Sequence, residues 1–351
     1  MAFLNTYDTI KLQGVIAEMD SFTPYLTSFF CGQTFFFDTE EIAFDKMFEG
    51  NTLAPYVSPL VAGKVNAKSG SNVMKFKVPY IKDLDQVTPA DGVKRRVGEG
   101  FGGTSTPQQR IAAERVRLIG RHDKRLSLRI EEQVSQLINR GGKVLCEGEG
   151  HPSIEVDYQM SAANNITVTG AARWSQLDPN TDSGQEILDD LEDWSANSNT
   201  SVGRATFEKS VWKHIIKFKA VRELRDTQVR GESSTFSTAP NTNNEDLQYK
   251  GTLGTLNCYV YTGFYRDSDE STATKRPFLD VGRVVLSSER PQGAVAYGAI
   301  QDVQEMRAVR QFSKNWISQD PSAENLMSQS APLATLADID SIVTIQTDGG
   351  A

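Results

Sequence analysis

Gly98, Gly100 and Gly103 have the spacing of a dinucleotide-binding turn and stand just before a helical pattern. That chemistry needs a buried parallel strand ahead of the glycines and an acid at a second strand end to hold the ribose. Here Val93-Lys94-Arg95-Arg96-Val97 leads in, three hydroxyl residues and Pro107 intervene, and Asp123 falls inside the helix. The stretch therefore reads as a hinge at Gly98, Gly100, Gly102 and Gly103, where the backbone can take conformations other residues resist. Asp178, Asn180 and Asp182, with Asp189 in twelfth place, imitate a calcium loop. Ser183 stands where the sharp turn wants glycine, and an Asp replaces the bidentate Glu. Residues 178–193 hold seven acids and no base, which suits carboxylates at a helix N-terminus, favoured by the dipole. His122, His151 and His214 lack metal-ligand spacing; His122 on a helix and His214 beside Trp212 read as structural. No GxSxG, GxxxxGK[ST] or HExxH pattern is present, so the residues predict no catalytic group, cofactor or metal.

The 351 residues, 38% hydrophobic and 23% charged, can bury a core and suit about two domains. Cys31, Cys146 and Cys258 are odd in number and far apart, which predicts a reducing setting without disulfides or a CxxC site. No basic, then apolar, signal-peptide pattern opens the chain. No run reaches the ~18 apolar residues of a membrane span. The net charge of −8 argues against a general nucleic-acid binder.

One long helix organises the elements, from Thr106 to Arg140. Thr104, Ser105 and Thr106 offer caps, Pro107 suits the first turn, and Gly141-Gly142 stops it. Ile119, Leu126, Ile130, Val134 and Leu137 make one apolar stripe at helical spacing. At ~1.5 Å per residue the helix is a rod of about 50 Å, and it needs neighbours along its length. Charge divides unevenly around it. Residues 94–129 carry ten Lys and Arg against three acids, a balance of +7, whereas residues 1–50 carry two Lys against eight acids, a balance of −6. Opposite-sign segments suit head-to-tail packing between copies; a solvated helix face and an acidic tail is the plainer reading.

The first 50 residues turn aromatic at Phe22, Tyr25, Phe29, Phe30, Phe35, Phe36 and Phe37, which reads either as an extended arm or as an ordinary core strand. Residues 51–104 read as an extended excursion broken by Pro55, Pro59, Pro79 and Pro89. Strands at 65–67 and 73–78 would flank a tip at 68–72, with Met74, Phe76 and Val78 on an apolar face and Lys75 and Lys77 on a cationic one. Such exposed pairing edges are hazardous unless a partner uses them. After the helix come two short strands over 143–158, a helix over 185–194, a helix from Gly203 through Arg225, and strands at 255–261, 282–287 and 341–346. Residues 231–246 read as a loop. The order is α+β, without the regular alternation of a doubly wound enzyme.

Longer stretches carry a resemblance. Leu53-Ala-Pro-Tyr-Val-Ser-Pro-Leu-Val-Ala-Gly-Lys-Val65, Phe218-Lys-Ala-Val-Arg-Glu-Leu-Arg-Asp226 and Tyr249-Lys-Gly-Thr-Leu-Gly254 belong to it. So do Tyr297-Gly-Ala-Ile-Gln-Asp302, Lys314-Asn-Trp316 and Gln329-Ser-Ala-Pro-Leu333. In order across residues 50–346, they resemble the lambda-type tailed-phage major capsid protein family (major capsid protein E family). The resemblance implies an HK97-like phage capsid fold of α+β class. Its parts would be an N-terminal arm (1–50), an extended E-loop hairpin (51–104) and a peripheral domain (105–162) with spine helix 105–140. An axial domain (163–320) and a return to the peripheral sheet (321–351) would complete it. It implies a virion protein, not an enzyme, that forms pentamers and hexamers of an icosahedral procapsid assembled in the host cytoplasm and expanding as double-stranded DNA is packaged. Partners would be further copies, a separate scaffold protein, a portal and a decoration protein, with DNA bound non-specifically and no membrane. Candidate contacts between copies are Phe35, Phe36, Phe37, Asp38, Glu40, Glu41, Lys75, Lys77, Arg110, Arg117, Arg121 and Lys124, with the basic spine residues set against the arm's acids. A nanocompartment shell of the same fold and a nucleotide-binding enzyme are the rival readings.

Overall fold

The computed structural model describes residues 24–39, 41–47, 71–94, 106–148, 151–230, 246–267, 273–320 and 322–348. The spine helix runs Pro107–Asn139, within a residue of its sequence signals. Thr106 accepts the Gln109 amide through its hydroxyl while the Gln109 side chain accepts the Thr106 amide, a reciprocal cap that pairs two otherwise orphaned donors. At the far end Gly141 and Gly142 sit at φ +61° and +81°, and the Gly142 amide reaches back to the Leu137 carbonyl at 2.7 Å. Left-handed residues there turn the chain away while the last carbonyls stay bonded.

The spine's second half lies in one hydrophobic core. Leu126, Ile130, Val134, Leu137 and Ile138 are buried with the short helix Tyr25–Phe30, the hairpin Lys143–Gly148/His151–Asp157 and a three-stranded sheet. That sheet is ordered Gln33–Phe37, Gly293–Gly298, Pro332–Leu336. Each fully buried Leu, Ile or Val contributes about 1.5–3 kcal/mol relative to exposure, so this stripe dominates the helix's placement. The first half is covered by a second three-stranded sheet, Phe312–Ser318, Ala323–Ser330 and Ile81–Val87, with Val87, Leu118, Ile119 and Leu326 between them.

A six-stranded sheet builds the other lobe, in the order Asn165–Thr167, Ile342–Gln346, Arg283–Ser287, Arg204–Glu208, Leu256–Tyr261, Leu247–Leu253. Its four inner strands are buried on both faces. Ala205, Phe207, Cys258, Val260, Val284, Leu286, Val343 and Ile345 face the second core with helices Gln185–Ser195, Lys209–Ile215 and Lys219–Arg230. Tyr259, Tyr261, Val285 and Ile342 face the spine's core. Double burial explains why Arg283–Ser287 and Ile342–Gln346 read as near-continuous apolar runs.

Several sequence expectations are corrected. The final strand joins the interior of this six-stranded sheet, between Arg283–Ser287 and Asn165–Thr167, because alternate residues must be covered on both sides. The helix predicted from Gly203 is a strand, Arg204–Glu208, followed by two helices. Ala205 and Phe207 alternate at period two, and the Glu208 carboxylate then takes the Ser210 amide at 2.8 Å to start the turn. Strand Ser71–Lys77 pairs antiparallel with Glu41–Met47, so Ser71 and Asn72 are strand rather than tip, and one hairpin leg comes from the stretch assigned to the arm. The predicted strand at 65–67 and the hinge glycines Gly98, Gly100, Gly102 and Gly103 lie outside the described residues. The acidic stretch does not cap its helix by a carboxylate. Gly184 at φ +81° takes the N-cap, and Asp178 and Asp182 accept the amides of Asn180 and Asp178 in the preceding turn. Among the described residues no group of three or more His, Cys, Asp or Glu is placed to hold a metal.

Candidate inter-subunit surfaces

The spine's buried arc carries a polar row beside its apolar stripe. Asp123, Ser127, Glu131 and Ser135 follow one another at four-residue spacing, all buried, and each bonds a residue outside the spine. Arg310 donates to Asp123 at 2.9 Å and to Ser127 at 3.4 Å. Burial raises the Asp123 carboxyl above its usual range, against the opposing pull of Arg310. Ser135 donates to the Phe278 carbonyl. Glu131 accepts from Leu26, Thr27 and Tyr261. Buried polar groups are costly unless bonded, and these are all bonded.

The basic face is largely neutralised by the chain's own acids. His122 lies wholly inside, its Nε2 on the Asp85 carboxylate at 3.0 Å and its Nδ1 on the Ser328 hydroxyl at 2.8 Å. With a carboxylate against Nε2, that nitrogen carries the proton and Nδ1 accepts from Ser328. Burial holds the imidazole below its ordinary value, outweighing the pull of Asp83 and Asp85. Arg121 pairs with the other Asp85 oxygen. Partial burial pushes that carboxyl up, but hydrogen bonds and charge from Arg121 and His122 outweigh it and hold it below the usual range. Arg125 pairs with Asp83 at 2.8 Å, and Arg115 grips Glu324. The alternation of Asp83 and Asp85 along Ile81–Val87 puts both on the face turned to the spine.

The predicted contact residues fall into two groups. Phe35 and Phe36 stand out from the edge strand Gln33–Phe37, 47% and 54% exposed, while Phe37 packs against the core. Among the described residues that strand is bonded on one side, parallel to Gly293–Gly298. Asp38 accepts the Ala308 amide at 2.8 Å. Lys75, Lys77 and Glu41 are exposed on the Glu41–Met47/Ser71–Lys77 ladder. Along the spine, Arg117 pairs with Glu114, Arg110 donates to the Gly92 carbonyl at 3.3 Å, and Lys124 is exposed. Glu40 lies outside the described residues. Within one copy, the chain supplies partners for Arg117, Arg121 and Asp38 itself.

Sequence reasoning missed two features. One is Glu131, whose signal is a carboxylate at four-residue spacing from Asp123 and Ser127 within the buried arc. The other is the turn between Ala299 and Ala308, where Val303 and Met306 are 88% and 72% exposed. Two apolar residues in an otherwise polar run, Gln301–Arg307, are its signal.

Among the described residues the arrangement offers no convergent catalytic or cofactor geometry; it offers one long, internally neutralised beam, sheets with open edges and apolar side chains left in solvent. The fold is shared with solved shell proteins: the capsid of Ralstonia phage GP4 superposes with a TM-score of 0.51 at 11% identity, covering 100% of this chain and 96% of that one. This is the HK97-like phage capsid fold, of α+β class. Residues 8–347 match the family model for phage major capsid protein E, and the chain belongs to that family. The major capsid protein of Escherichia phage N15 is 32% identical over 349 residues, 98% of this chain and 99% of that protein. A crystal structure of a prophage protein from E. coli CFT073 superposes with a TM-score of 0.74 at 25% identity, covering 97% of this chain and 98% of that one. The chain is therefore a structural component of the virion capsid and not an enzyme. Among the described residues no helix is long and apolar enough to cross a membrane.

Proposed function

We propose that copies of this chain close into pentamers and hexamers of an icosahedral procapsid, and that the shell expands as double-stranded DNA is packaged. The observation that carries the reading is the edge strand Gln33–Phe37, which among the described residues is paired on one side only, with Phe35 and Phe36 exposed. An open strand edge with exposed aromatics is a liability that a neighbouring copy removes. In this reading the arm is residues 1–50 apart from the hairpin leg Glu41–Met47, and the E-loop is that leg with residues 51–104. The peripheral domain is 105–162, the axial domain 163–320 with the final strand added, and residues 321–336 return to the peripheral sheets. Lys75 and Lys77 on the hairpin and Lys124 on the spine serve contacts between copies. The hinge at Gly98, Gly100, Gly102 and Gly103 lets hairpin and spine change angle. A separate scaffold protein, a portal and a decoration protein are the further partners, and DNA is held non-specifically.

Co-expression with the phage's scaffold protein, followed by electron microscopy, tests this. Closed compact shells are expected, and shells of a larger diameter once double-stranded DNA has been packaged. Phe36→Lys is expected to leave the far-ultraviolet circular dichroism of the chain unchanged and to abolish closed shells. Small uniform particles under every condition would refute the reading.

A further inference from the structure

Three elements meet at one carboxylate in the middle of the spine. Glu131 is fully buried. Its Oε1 accepts from the Leu26 amide at 2.8 Å and the Tyr261 hydroxyl at 2.6 Å, and its Oε2 accepts from the Thr27 amide at 2.7 Å and the Thr27 hydroxyl at 2.8 Å. Two of the three elements it joins are distant in sequence: the short helix Tyr25–Phe30 and the six-stranded sheet's Leu256–Tyr261. The short helix reaches the sheet a second time. Tyr25 shares a hydrogen bond with Thr206 at 3.1 Å, and its ring lies 5.2 Å from that of Tyr261. The Arg204 guanidinium of the same sheet sits 4.0 Å from the Phe29 ring centre and 3.6 Å from that of Tyr259. Among the described residues the buried Arg204 Nε has no hydrogen-bond partner, and the ring faces pack against the guanidinium.

We propose that helix Tyr25–Phe30 is a strap that fixes the angle between the spine and the six-stranded sheet, latched by Glu131, and that its release sets the threshold at which the compact shell expands. This rests on the expansion reading above. The latch is all-or-none for a physical reason. A buried carboxylate with four donors is stable, but sliding the sheet against the spine parts Tyr261 from Glu131 and disturbs the donors that remain. Partial loss leaves a desolvated charge, so intermediate angles are disfavoured and the joint has two discrete arrangements. The strap's other contacts, Leu26 and Phe30 in the spine's core and Phe29 on Arg204, move with one lobe or the other. Glu131 answers to both through one side chain, beside the direct bond from Arg283 of the sheet to the Asn139 carbonyl at the spine's end, 2.8 Å.

The test compares wild-type shells with Thr27→Val, which removes one donor and keeps the amide, Tyr261→Phe, which removes another, and Glu131→Gln. Two quantities are read: the urea concentration at which compact shells convert to expanded ones by electron microscopy, and hydrogen exchange at the 26–30 amides. Both conservative variants are expected to assemble, to exchange about tenfold faster there, as for the loss of one buried hydrogen bond, and to convert at lower urea. The double variant is expected to shift conversion by less than the sum. Faster exchange with a wild-type conversion point would overturn the proposal, as would no change in either quantity. Wild-type shells that never change diameter would overturn the expansion reading and the threshold together, an outcome distinct from both.

Discussion

Arg115→Met isolates what joins the first half of the spine to its sheet. Arg115 Nε donates to Glu324 Oε2 at 2.9 Å, Nη2 adds a second bond to the same oxygen, and Asn315 Nδ2 donates to the other oxygen at 2.6 Å. The two side chains are only 16% and 9% exposed. A charge-assisted hydrogen bond is worth about 1.5–3 kcal/mol, and stripping one partner from a buried pair costs about 3–5 kcal/mol. Here the residual exposure and the bond from Asn315 lower that, so Arg115→Met is expected to destabilise by about 2–3 kcal/mol. Glu324→Gln keeps shape and is expected to cost about 1–2 kcal/mol. The double variant should show a coupling of about 1.5 kcal/mol between the two. Trp316 reports locally: it lies on Phe312–Ser318, whose Ile317 is registered opposite Glu324, and the other three tryptophans lie in the other lobe. Urea unfolding followed by Trp316 fluorescence, with the other tryptophans replaced by Phe, gives the cycle. A coupling below about 0.5 kcal/mol, the level of an exposed pair, would refute the argument that this contact is a desolvated clamp.

Gly141→Ala forces a side chain into left-handed backbone and sets its Cβ 2.3 Å from Asn165 Nδ2, so a loss above the about 1–2 kcal/mol of the backbone term alone is expected by calorimetry. Gly254→Ala, at φ +60° where an added Cβ would meet nothing within 4 Å, should lose only that term. Acid sensitivity follows from His122: because burial depresses its folded pKa, the unfolded chain takes up the proton first. His122 therefore adds stability above its ordinary value of 6.5 and loses it as pH falls below that. The urea midpoint should drop between pH 7.5 and 5.5, conditions set about one unit to either side of that value, and His122→Gln should flatten the drop.

Much of this architecture was written in local sequence. The spine's start and stop need only Thr106, Gln109, Pro107 and two glycines, because caps and left-handed turns are settled by residues within a few positions of one another. Its apolar stripe is likewise local, and so is the family resemblance, carried by ordered runs from Leu53 to Asp338. Pairing between distant segments was not legible. Ser71–Lys77 takes Glu41–Met47 as its partner, and Ile342–Gln346 enters the interior of the six-stranded sheet. Nothing near those strands specifies the neighbour; only covering both faces at once does. The contact surface divides the same way. Exposed Phe35 and Phe36 stand in an aromatic run that read either as an arm or as a core strand, whereas the basic spine that suggested a charged docking face spends much of its charge on Asp83, Asp85, Glu114 and Glu324. Opposite charges far apart in the chain find each other only once the backbone has brought them together. The role of Glu131 was decided by the tertiary structure: its spacing from Asp123 and Ser127 marks a polar row, but only the short helix and a tyrosine hydroxyl from elsewhere supply its donors.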